Sequence, residues 1–259
     1  MTLDRPAPGA HELPRLEAEA WRAADARFER DGADGWTVVH EPPQPWEASL
    51  GRLTFELSLG PSGSVGLFPE QAPLWPWIAG RVAAVREARG SVEVLSLFAG
   101  TGGSTLAAAA AGAPVVHVDA LRTSIARART NAAASGLAAA PIRWIPDDAP
   151  RFVAREARRG RRYAGIVLDP PSYGHGPHGE AWRLVQRLPE LLTSCAALLD
   201  GPARFLLLTA HTAGLGASGL QEMVAAALPG GRVEVDALIL EAESGTRLPQ
   251  GLAARWTPA

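Results

Sequence analysis

The chain is organised around one stretch, Val92-Glu93-Val94-Leu95-Ser96-Leu97-Phe98-Ala99-Gly100-Thr101-Gly102-Gly103-Ser104. An apolar run ends here at a glycine-rich turn, and an alanine-rich segment follows directly. This order predicts a buried strand, a tight loop and a helix. Because glycine has no Cβ, such a loop brings backbone N–H groups close to a ligand. We therefore expect a nucleotide-like cofactor at this loop.

Strands and helices alternate from residue 92 onward. Apolar runs predict strands at Val92–Leu97, Val115–Val118, Ile142–Ile145, Gly165–Leu168 and Arg204–Thr209. Helices are predicted near residues 104–111, 121–134, 148–158, 180–199 and 218–227. Two last strands, Val233–Leu240 and Gly251–Trp256, leave no room for a helix between them and predict a hairpin. The pattern predicts an α/β, Rossmann-like fold: a seven-stranded, mostly parallel sheet with helices on both faces and an antiparallel last strand.

A small N-terminal β-rich extension is predicted before this domain. Residues 18–30 read as a short helix, and strand-like runs follow at Trp36–His40, Leu53–Leu59 and Val65–Phe68, with prolines and glycines between them. We divide the chain into an N-terminal arm with a small antiparallel β unit, residues 1–70, and a main domain, residues 71–259, which begins with a helix near 74–88.

Composition narrows the class of protein. The chain has 259 residues and a net charge of −2, and no apolar run approaches the roughly 20 residues that a membrane helix needs. The N-terminus does not read as a secretory signal. With a single cysteine, Cys195, an intrachain disulfide is impossible and a cysteine-built metal site is not expected. We expect a cytoplasmic protein with no metal and no membrane partner; a homo-oligomer stays open.

Every one of the 25 basic residues is arginine. Arginine binds phosphate through a planar fork and stacks on bases, unlike lysine. The densest cluster comprises Arg151, Arg155, Arg158, Arg159, Arg161 and Arg162. Two interpretations stand: a solvated helix end, or part of a surface that follows a phosphate backbone.

Acidic residues follow the second and third predicted strands, at the edge where such sheets bind ligands. Asp119 lies 17 residues after Gly102, where a carboxylate can accept from both hydroxyls of a ribose; capping of the next helix is the alternative. Leu121 would then offer an apolar surface to a purine. After the third strand, we expect Asp148 to accept a hydrogen bond from the exocyclic amine of adenine, and Asp147 to cap the next helix.

The most specific motif is Asp169-Pro170-Pro171-Ser172-Tyr173, which we call the proline shelf. Two prolines fix the backbone where the fourth strand ends. A proline-rich strand terminator is the plain interpretation. The functional one is a rigid shelf for a planar, nitrogen-bearing group, in which Asp169 accepts a hydrogen bond and Tyr173 stacks or walls the pocket. We take Asp169, Pro170, Pro171 and Tyr173 as the catalytic set.

These motifs resemble the class I S-adenosylmethionine-dependent methyltransferases. Within them, the chain is similar to the branch that includes the bacterial large-subunit ribosomal RNA methyltransferases. The matching segments are Gly66–Gln71, Leu97–Gly103, Val118-Asp119, Asp147–Ala149 and the proline shelf, within roughly residues 50–257. The resemblance implies S-adenosylmethionine as cofactor. It implies that Phe68 and Gln71 lie beside the methionine moiety, and that the other cofactor-binding residues are Phe98, Ala99, Gly100, Thr101, Gly102, Asp119, Leu121, Asp148 and Asp169.

Departures from that family narrow the chemistry. Members that methylate cytosine C5 use a cysteine nucleophile after strand four or five, because the covalent route needs a thiolate. Here the shelf has no cysteine and Thr209-Ala210-His211-Thr212 follows strand five, while Cys195 lies in an apolar helical run. Covalent C5 chemistry is therefore not expected. His175, His178 and His211 are candidates for proton handling.

The predicted activity is direct, non-covalent methyl transfer to a nucleobase of ribosomal RNA, at nitrogen. The near-neutral charge argues against RNA. The alternative is a methyltransferase for a small molecule or a protein side chain, which the acidic pI near 6.3 and the compact N-terminal unit suit. A nucleotide-binding Rossmann protein without methyl transfer is a third hypothesis. Thr105 stands where a dinucleotide fingerprint has its third glycine, which argues against it.

Overall fold

The computed structural model describes residues 1–4, 18–29, 35–175 and 181–259. The predicted N-terminal arm falls mostly on residues 5–17, outside the described residues. The strands are β1 (Leu3–Asp4), β2 (Ala26–Phe28), β3 (Trp36–Val38), β4 (Glu47–Leu50), β5 (Leu53–Glu56), β6 (Val94–Leu97), β7 (Val115–Asp119), β8 (Ile142–Pro146), β9 (Gly165–Leu168), β10 (Tyr173–His175), β11 (Ala181–Arg183), β12 (Phe205–Ala210), β13 (Gly231–Glu241) and β14 (Arg247–Pro258). The helices are α1 (Ala18–Arg22), α2 (Trp75–Arg89), α3 (Gly103–Ala110), α4 (Arg122–Ala134), α5 (Ala149–Arg158), α6 (Leu184–Ala196) and α7 (Ala217–Ala227), with a 3-10 helix at Pro69–Leu74 before α2.

Seven strands form the central sheet, in the order β13-β14-β12-β9-β6-β7-β8. Neighbours from β12 to β8 pair in parallel, whereas β14 runs antiparallel to both β12 and β13. The predicted Rossmann-like fold, with its antiparallel last strand and closing hairpin, is confirmed. Since β6 lies between β9 and β7, the loops that follow these three strands meet at one edge of the sheet.

Helices cover both faces of the sheet, as predicted. On one face, α5, α6 and α7 pack on alternate strand residues such as Leu95 and Ile166. On the other face, α2 and α3 pack on Val94 and Val167. Every residue of β6 and β9 is buried, which is why these strands read as continuous apolar runs rather than as alternating ones.

The start of the N-terminal β region differs from the prediction. The helix predicted over residues 18–30 ends at Arg22, and β2 begins at Ala26. Asp25 turns the chain between them, because its carboxylate accepts a hydrogen bond from the amide of Thr2 at 2.5 Å and contacts Nδ1 of His40 at 2.9 Å. β1 pairs in parallel with β2 and β3 pairs antiparallel with it, so this small sheet is mixed rather than antiparallel.

A second N-terminal unit, the hairpin β4–β5, packs on the main domain. Leu53 and Phe55 are buried in the same core cluster as residues of α2 and α3. The strand predicted at Val65–Phe68 is absent, since Gly66 takes a φ of +87° and the chain turns into the 3-10 helix. The domain boundary at residue 70 stays a prediction.

The helix predicted near residues 180–199 is shorter than expected, and a hairpin precedes it. α6 begins at Leu184. Before it, β10 and β11 pair antiparallel, with Tyr173 opposite Arg183. The hairpin folds back over the proline shelf because the indole Nε1 of Trp182 donates to the carbonyl of Pro171 at 2.7 Å. A tertiary contact therefore overrides the helical pattern at this point.

Asn131, on α4, links the hairpin β4–β5 to the glycine loop after β6. Its side chain is fully buried. Its Nδ2 donates to the carbonyl of Thr101 at 2.9 Å, and its Oδ1 accepts from the amide of Glu56 at 2.8 Å. One side chain thus satisfies two backbone groups that belong to distant parts of the chain.

Replacing Asn131 by alanine should destabilise the protein, since both backbone groups lose their partner in a buried place. We expect Asn131→Ala to lower the free energy of unfolding by about 2–4 kcal/mol in urea titrations. The matched control is Thr130→Ala, at the exposed neighbouring position of the same helix, which should stay within about 0.5 kcal/mol of wild type. Equal stability of the two variants would contradict the assigned role of Asn131.

Candidate active site

The glycine loop after β6 turns the chain within a few residues. Phe98, Gly100 and Gly102 have φ values of +51°, +52° and +98°. Phe98 is the positive-φ residue other than glycine among the described residues, and such strained backbone clusters at ligand sites. A Cβ on Gly102 would lie 3.2 Å from Cβ of Ala128, and one on Gly103 would lie 3.2 Å from the indole of Trp75. The loop therefore packs closely on its neighbours and presents backbone N–H groups at the start of α3.

Asp119, the last residue of β7, holds this loop. Its Oδ2 accepts from the amide of Gly100 and its Oδ1 from the amide of Leu121, both at 2.8 Å. Burial raises the pKa of Asp119, and the two amide hydrogen bonds offset part of that effect. Each oxygen keeps an acceptor position for a further donor. Leu121 precedes α4 and has an exposed side chain, so both predicted residues are available to a ligand.

The helix cap after β8 is made by a different aspartate from the one predicted. Asp148, not Asp147, caps the next helix: its Oδ1 accepts from the amide of Arg151 at 3.0 Å. The cap falls on Asp148 because α5 begins at the very next residue. Asp147 instead pairs with Arg155, with 2.6 Å between Oδ2 and the guanidinium. The assignment of Asp148 to adenine stays a prediction.

An outer cleft of about 370 Å³ lies beside the glycine loop. Its lining residues come from the glycine loop, the turn after β7, the start of α5, the proline shelf, the hairpin β10–β11 and α6: Phe98, Ala120, Asp148, Pro150, Arg151, Ala154, Pro171, Gly174, Trp182, Arg187, Glu190, Leu191 and Ser194. Phe98 and Trp182 form its aromatic wall, with ring centroids 5.4 Å apart. The sequence interpretation did not name Trp182 as a site residue. The signal that could have indicated it is its position, an aromatic residue close after the proline shelf.

An inner pocket of about 30 Å³ lies at the same loop. It brings together predicted residues from three segments, the entry motif, the glycine loop and the proline shelf: Phe68, Gln71, Ala99, Gly100, Thr101, Gly102 and Asp169. The other lining residues are Phe55, Leu67, Trp75 and Gly103. The hydroxyl of Thr101 donates to the carbonyl of Gly66 at 2.8 Å, which joins the entry motif to the glycine loop. Part of the predicted cofactor set therefore meets here, whereas Phe98 and Asp148 line the outer cleft and Asp119 and Leu121 line neither of the two.

Asp169 lies in a hydrogen-bond network at this pocket. Its amide donates to the carbonyl of Leu97 at 3.2 Å, which places the shelf against the glycine loop. The side-chain amide of Gln71 donates to Oδ2 at 2.6 Å. The hydroxyl of Thr209 donates to Oδ1 at 2.5 Å, and Nε2 of His211 lies 3.1 Å from the same oxygen. Sequence reasoning named His211 as a proton carrier but missed its contact with Asp169.

The other residues of the proline shelf differ in their exposure to solvent. Pro170 is buried, whereas Pro171 lines the outer cleft. Tyr173 is 74% exposed and lines neither pocket. The hydroxyl of Ser172 accepts from that of Thr212 at 2.9 Å. His178 and the side chain of His175 lie outside the described residues.

Half of the arginine cluster on α5 and after it, three of six residues, is paired with acids. Arg155 binds Asp147, and Arg161 binds Glu93 at 2.7 Å. Arg159 lies 3.3 Å from Glu156. This pairing favours the interpretation as a solvated helix end. Arg151 is the member of the cluster that lines the outer cleft.

The described residues give no sign of a metal centre or a membrane span. No group of three or more His, Cys, Asp or Glu side chains is placed to hold a metal ion within those residues. Among the helices of the same residues, none has the length and apolar character needed to cross a bilayer.

Comparison with known proteins agrees with this geometry. The family model described as "S-adenosylmethionine-dependent methyltransferase" matches residues 17–208. A curated relative, ribosomal RNA large subunit methyltransferase I of Aeromonas salmonicida, is 31% identical over 186 residues, which are 65% of this chain and 43% of that protein. The chain thus spans less than half the length of this relative.

Solved structures show the same fold. A SAM-dependent methyltransferase from Agrobacterium tumefaciens superposes with a TM-score of 0.87 and 37% identity, over 99% of this chain and 84% of its own. A methyltransferase complexed with SAH has a TM-score of 0.73 at 16% identity, over 93% of this chain and 63% of its own, and supports the fold alone. The chain belongs to the S-adenosylmethionine-dependent methyltransferase family, and its cofactor is S-adenosylmethionine.

Proposed function

We propose that this methyltransferase modifies a nucleobase of ribosomal RNA, at a nitrogen atom, by direct attack without a covalent enzyme intermediate. The observation that carries the proposal is the proline shelf: a carboxylate at the inner pocket, Asp169, is followed within four residues by an exposed aromatic ring, Tyr173. A planar base with an N–H group needs these two kinds of contact. The name of the curated relative, a ribosomal RNA methyltransferase, supports the substrate class.

The residues around the glycine loop fit S-adenosylmethionine. Two left-handed glycines, Gly100 and Gly102, leave the loop backbone free of side chains, and Asp119 keeps acceptor positions beside it for ribose hydroxyls. Leu121 and Asp148 would contact the adenine. Phe68 and Gln71 would lie beside the methionine moiety, in the inner pocket.

The chain's own part in the reaction is to bind, orient and exclude water. The cofactor, when bound, supplies an electrophilic methyl group. Asp169 would accept a hydrogen bond from the N–H of the base and so turn the nitrogen lone pair towards the methyl group. Tyr173 would stack on the base, and Pro170 and Pro171 would keep the carboxylate and the ring in register.

A covalent route through cysteine is not supported. Cys195 lies fully buried in α6, within the core that α6 forms with the sheet. Burial raises the pKa of its thiol, which keeps it protonated and unreactive. Thr209 and His211 occupy the end of β12, where a cysteine nucleophile would be expected.

The alternative substrate is a small molecule or a protein side chain. The pairing of the arginine cluster with acids favours it, because RNA affinity normally depends on free phosphate-binding cations.

An RNA substrate would agree with the predicted cytoplasmic location. The oligomeric state stays a prediction.

Mapping of ribosomal RNA by mass spectrometry tests the substrate class. A strain without the gene should lack one methylated base in large-subunit RNA, and purified protein should restore it with labelled S-adenosylmethionine. Nuclease treatment of the acceptor should abolish labelling. Labelling that survives nuclease in a ribosome-depleted extract would instead establish the alternative.

Substitutions of Asp119 and Asp169 should affect different steps, the first cofactor binding and the second turnover. Asp119→Ala should weaken cofactor binding by about 10- to 100-fold in calorimetry, because it removes charge-assisted bonds and the support of Gly100. Asp169→Asn should abolish turnover and leave the dissociation constant of the cofactor within about tenfold. Equal effects of both variants on cofactor binding would contradict these roles.

Cys195 should be dispensable for catalysis. We expect Cys195→Ser to keep kcat within about threefold of wild type, apart from a loss of stability caused by a buried hydroxyl. Thermal unfolding measured beside the assay separates the two effects. Loss of turnover in a fully folded variant would revive the covalent mechanism.

A further inference from the structure

The two oxygens of Asp169 have different surroundings. Oδ1 accepts from two groups at the end of β12, the hydroxyl of Thr209 and the ring of His211. Oδ2 accepts from the side-chain amide of Gln71 alone within the described part of the chain. A carboxylate oxygen can accept two hydrogen bonds in its plane. Oδ1 is therefore committed to the protein, whereas Oδ2 keeps an acceptor position for a ligand.

His211 makes its two contacts through opposite ring nitrogens. Its Nδ1 lies 2.6 Å from the carbonyl of Gln250, and its Nε2 lies 3.1 Å from Asp169. A carbonyl oxygen only accepts, so Nδ1 must carry a proton. A single further proton then lies between Nε2 and the carboxylate. With that proton on nitrogen, the pair is an imidazolium and an ionised Asp169.

The charges around His211 favour this arrangement. Burial by itself would lower the pKa of His211, but the hydrogen bond and charge of Asp169, the carbonyl of Gln250 and the charge of Glu70 together raise it to about 9. Asp169 follows β9, Glu70 lies on the 3-10 helix and Gln250 lies on β14. His211 is thus charged at neutral pH and loses its charge as the pH rises past that value.

A β-bulge in β14 supplies the carbonyl that holds His211. Leu238 pairs with Gly251 and Ile239 pairs with Pro249, so Gln250 is the extra residue between them. Bulges free a backbone group from the ladder and occur next to active sites. Gly251, at a φ of +139°, allows close approach: a Cβ there would lie 3.1 Å from Nδ1 of His211 and would clash with the carbonyl of Ala210.

We propose that the bulge at Gln250-Gly251 fixes His211, and that His211 is a positioning residue which holds Asp169 ionised, with Oδ2 turned towards the methyl acceptor. This inference rests on the role of Asp169 in the proposed function. In this inference the antiparallel strand β14, which is far in sequence from the glycine loop, helps to position a side chain at the site. With the proton on Nε2, the carboxylate is free at Oδ2 to accept the N–H of the base and to take up the proton that this nitrogen gives up on methylation.

The first experiment needs no substrate: NMR titration of the His211 ring in the full chain. We expect a pKa well above the ordinary histidine value of about 6.5 in wild type, and a clearly lower pKa in Asp169→Asn, since burial is then opposed only by the carbonyl of Gln250 and the charge of Glu70. Gly251→Ala should lower it too. The matched control is Gly245→Ala, a left-handed glycine in the turn of the same hairpin with open space around it, which should leave the titration unchanged.

The second experiment measures turnover as a function of pH. His211→Asn keeps a hydrogen-bond donor but no charge. We expect wild type to lose kcat as the pH rises past about 9. His211→Asn should lower kcat by at least about tenfold, leave KM within about threefold, and lack this fall with pH. Thermal unfolding of each variant excludes simple loss of fold, and a purely structural His211 would not change the pH profile.

The outcomes separate this inference from the proposed function. A titration of His211 that does not respond to Asp169→Asn overturns the inference whatever the substrate is. A wild-type pH profile retained by a folded His211→Asn variant also overturns it. Failure of wild type to methylate ribosomal RNA, with the titration as expected, overturns only the substrate, and the pH measurement then moves to the acceptor found in nuclease-treated extract.

Discussion

The turn after β6 is the constraint on which the rest of the structure depends. A parallel strand at the centre of the sheet must pass into α3 within a few residues, and this requires positive φ at Phe98, Gly100 and Gly102. Such backbone is stable only when its surroundings hold it. Asp119 does so from β7, through the amide of Gly100, and Asn131 does so from α4, through the carbonyl of Thr101. The contacts that hold the fold at this turn are therefore also those of the proposed cofactor site.

Two carboxylates flank this turn and differ in their partners. Within the described residues, the carboxylate of Asp119 accepts from two backbone amides, which suits its proposed role of binding neutral ribose hydroxyls. Asp169 faces an imidazole and a side-chain amide, so its charge is balanced within the protein. The charge balance explains how an ionised carboxylate can remain in a partly buried pocket, next to the proposed site of methyl transfer.

Recognition of the acceptor cannot use the whole of the densest arginine cluster. Three arginines of the densest cluster are neutralised by Asp147, Glu93 and Glu156, and the chain as a whole is slightly acidic. Aromatic surface is available instead: Tyr173 is exposed, and Trp182 faces Phe98 in the outer cleft. Stacking depends little on salt, so a base held in this way would be bound with a weak ionic-strength dependence.

The order of elements and the motifs at the ends of strands were readable from the sequence by itself, because periodicity, glycine turns and proline pairs are local signals. Asp119, Asp169 and the glycine loop were named from those signals, and the seven-stranded sheet followed from alternation. The tertiary structure alone decided which side chains meet. Asp148 became the cap because α5 starts one residue later than predicted, Trp182 reached the shelf through a hairpin, and Asn131 joined segments 30 residues and more apart. The contact of His211 with Asp169 and with the bulge of β14 joins residues about 40 positions apart, and no local pattern encodes such a pairing, because it depends on the register of strands that meet only when the sheet closes.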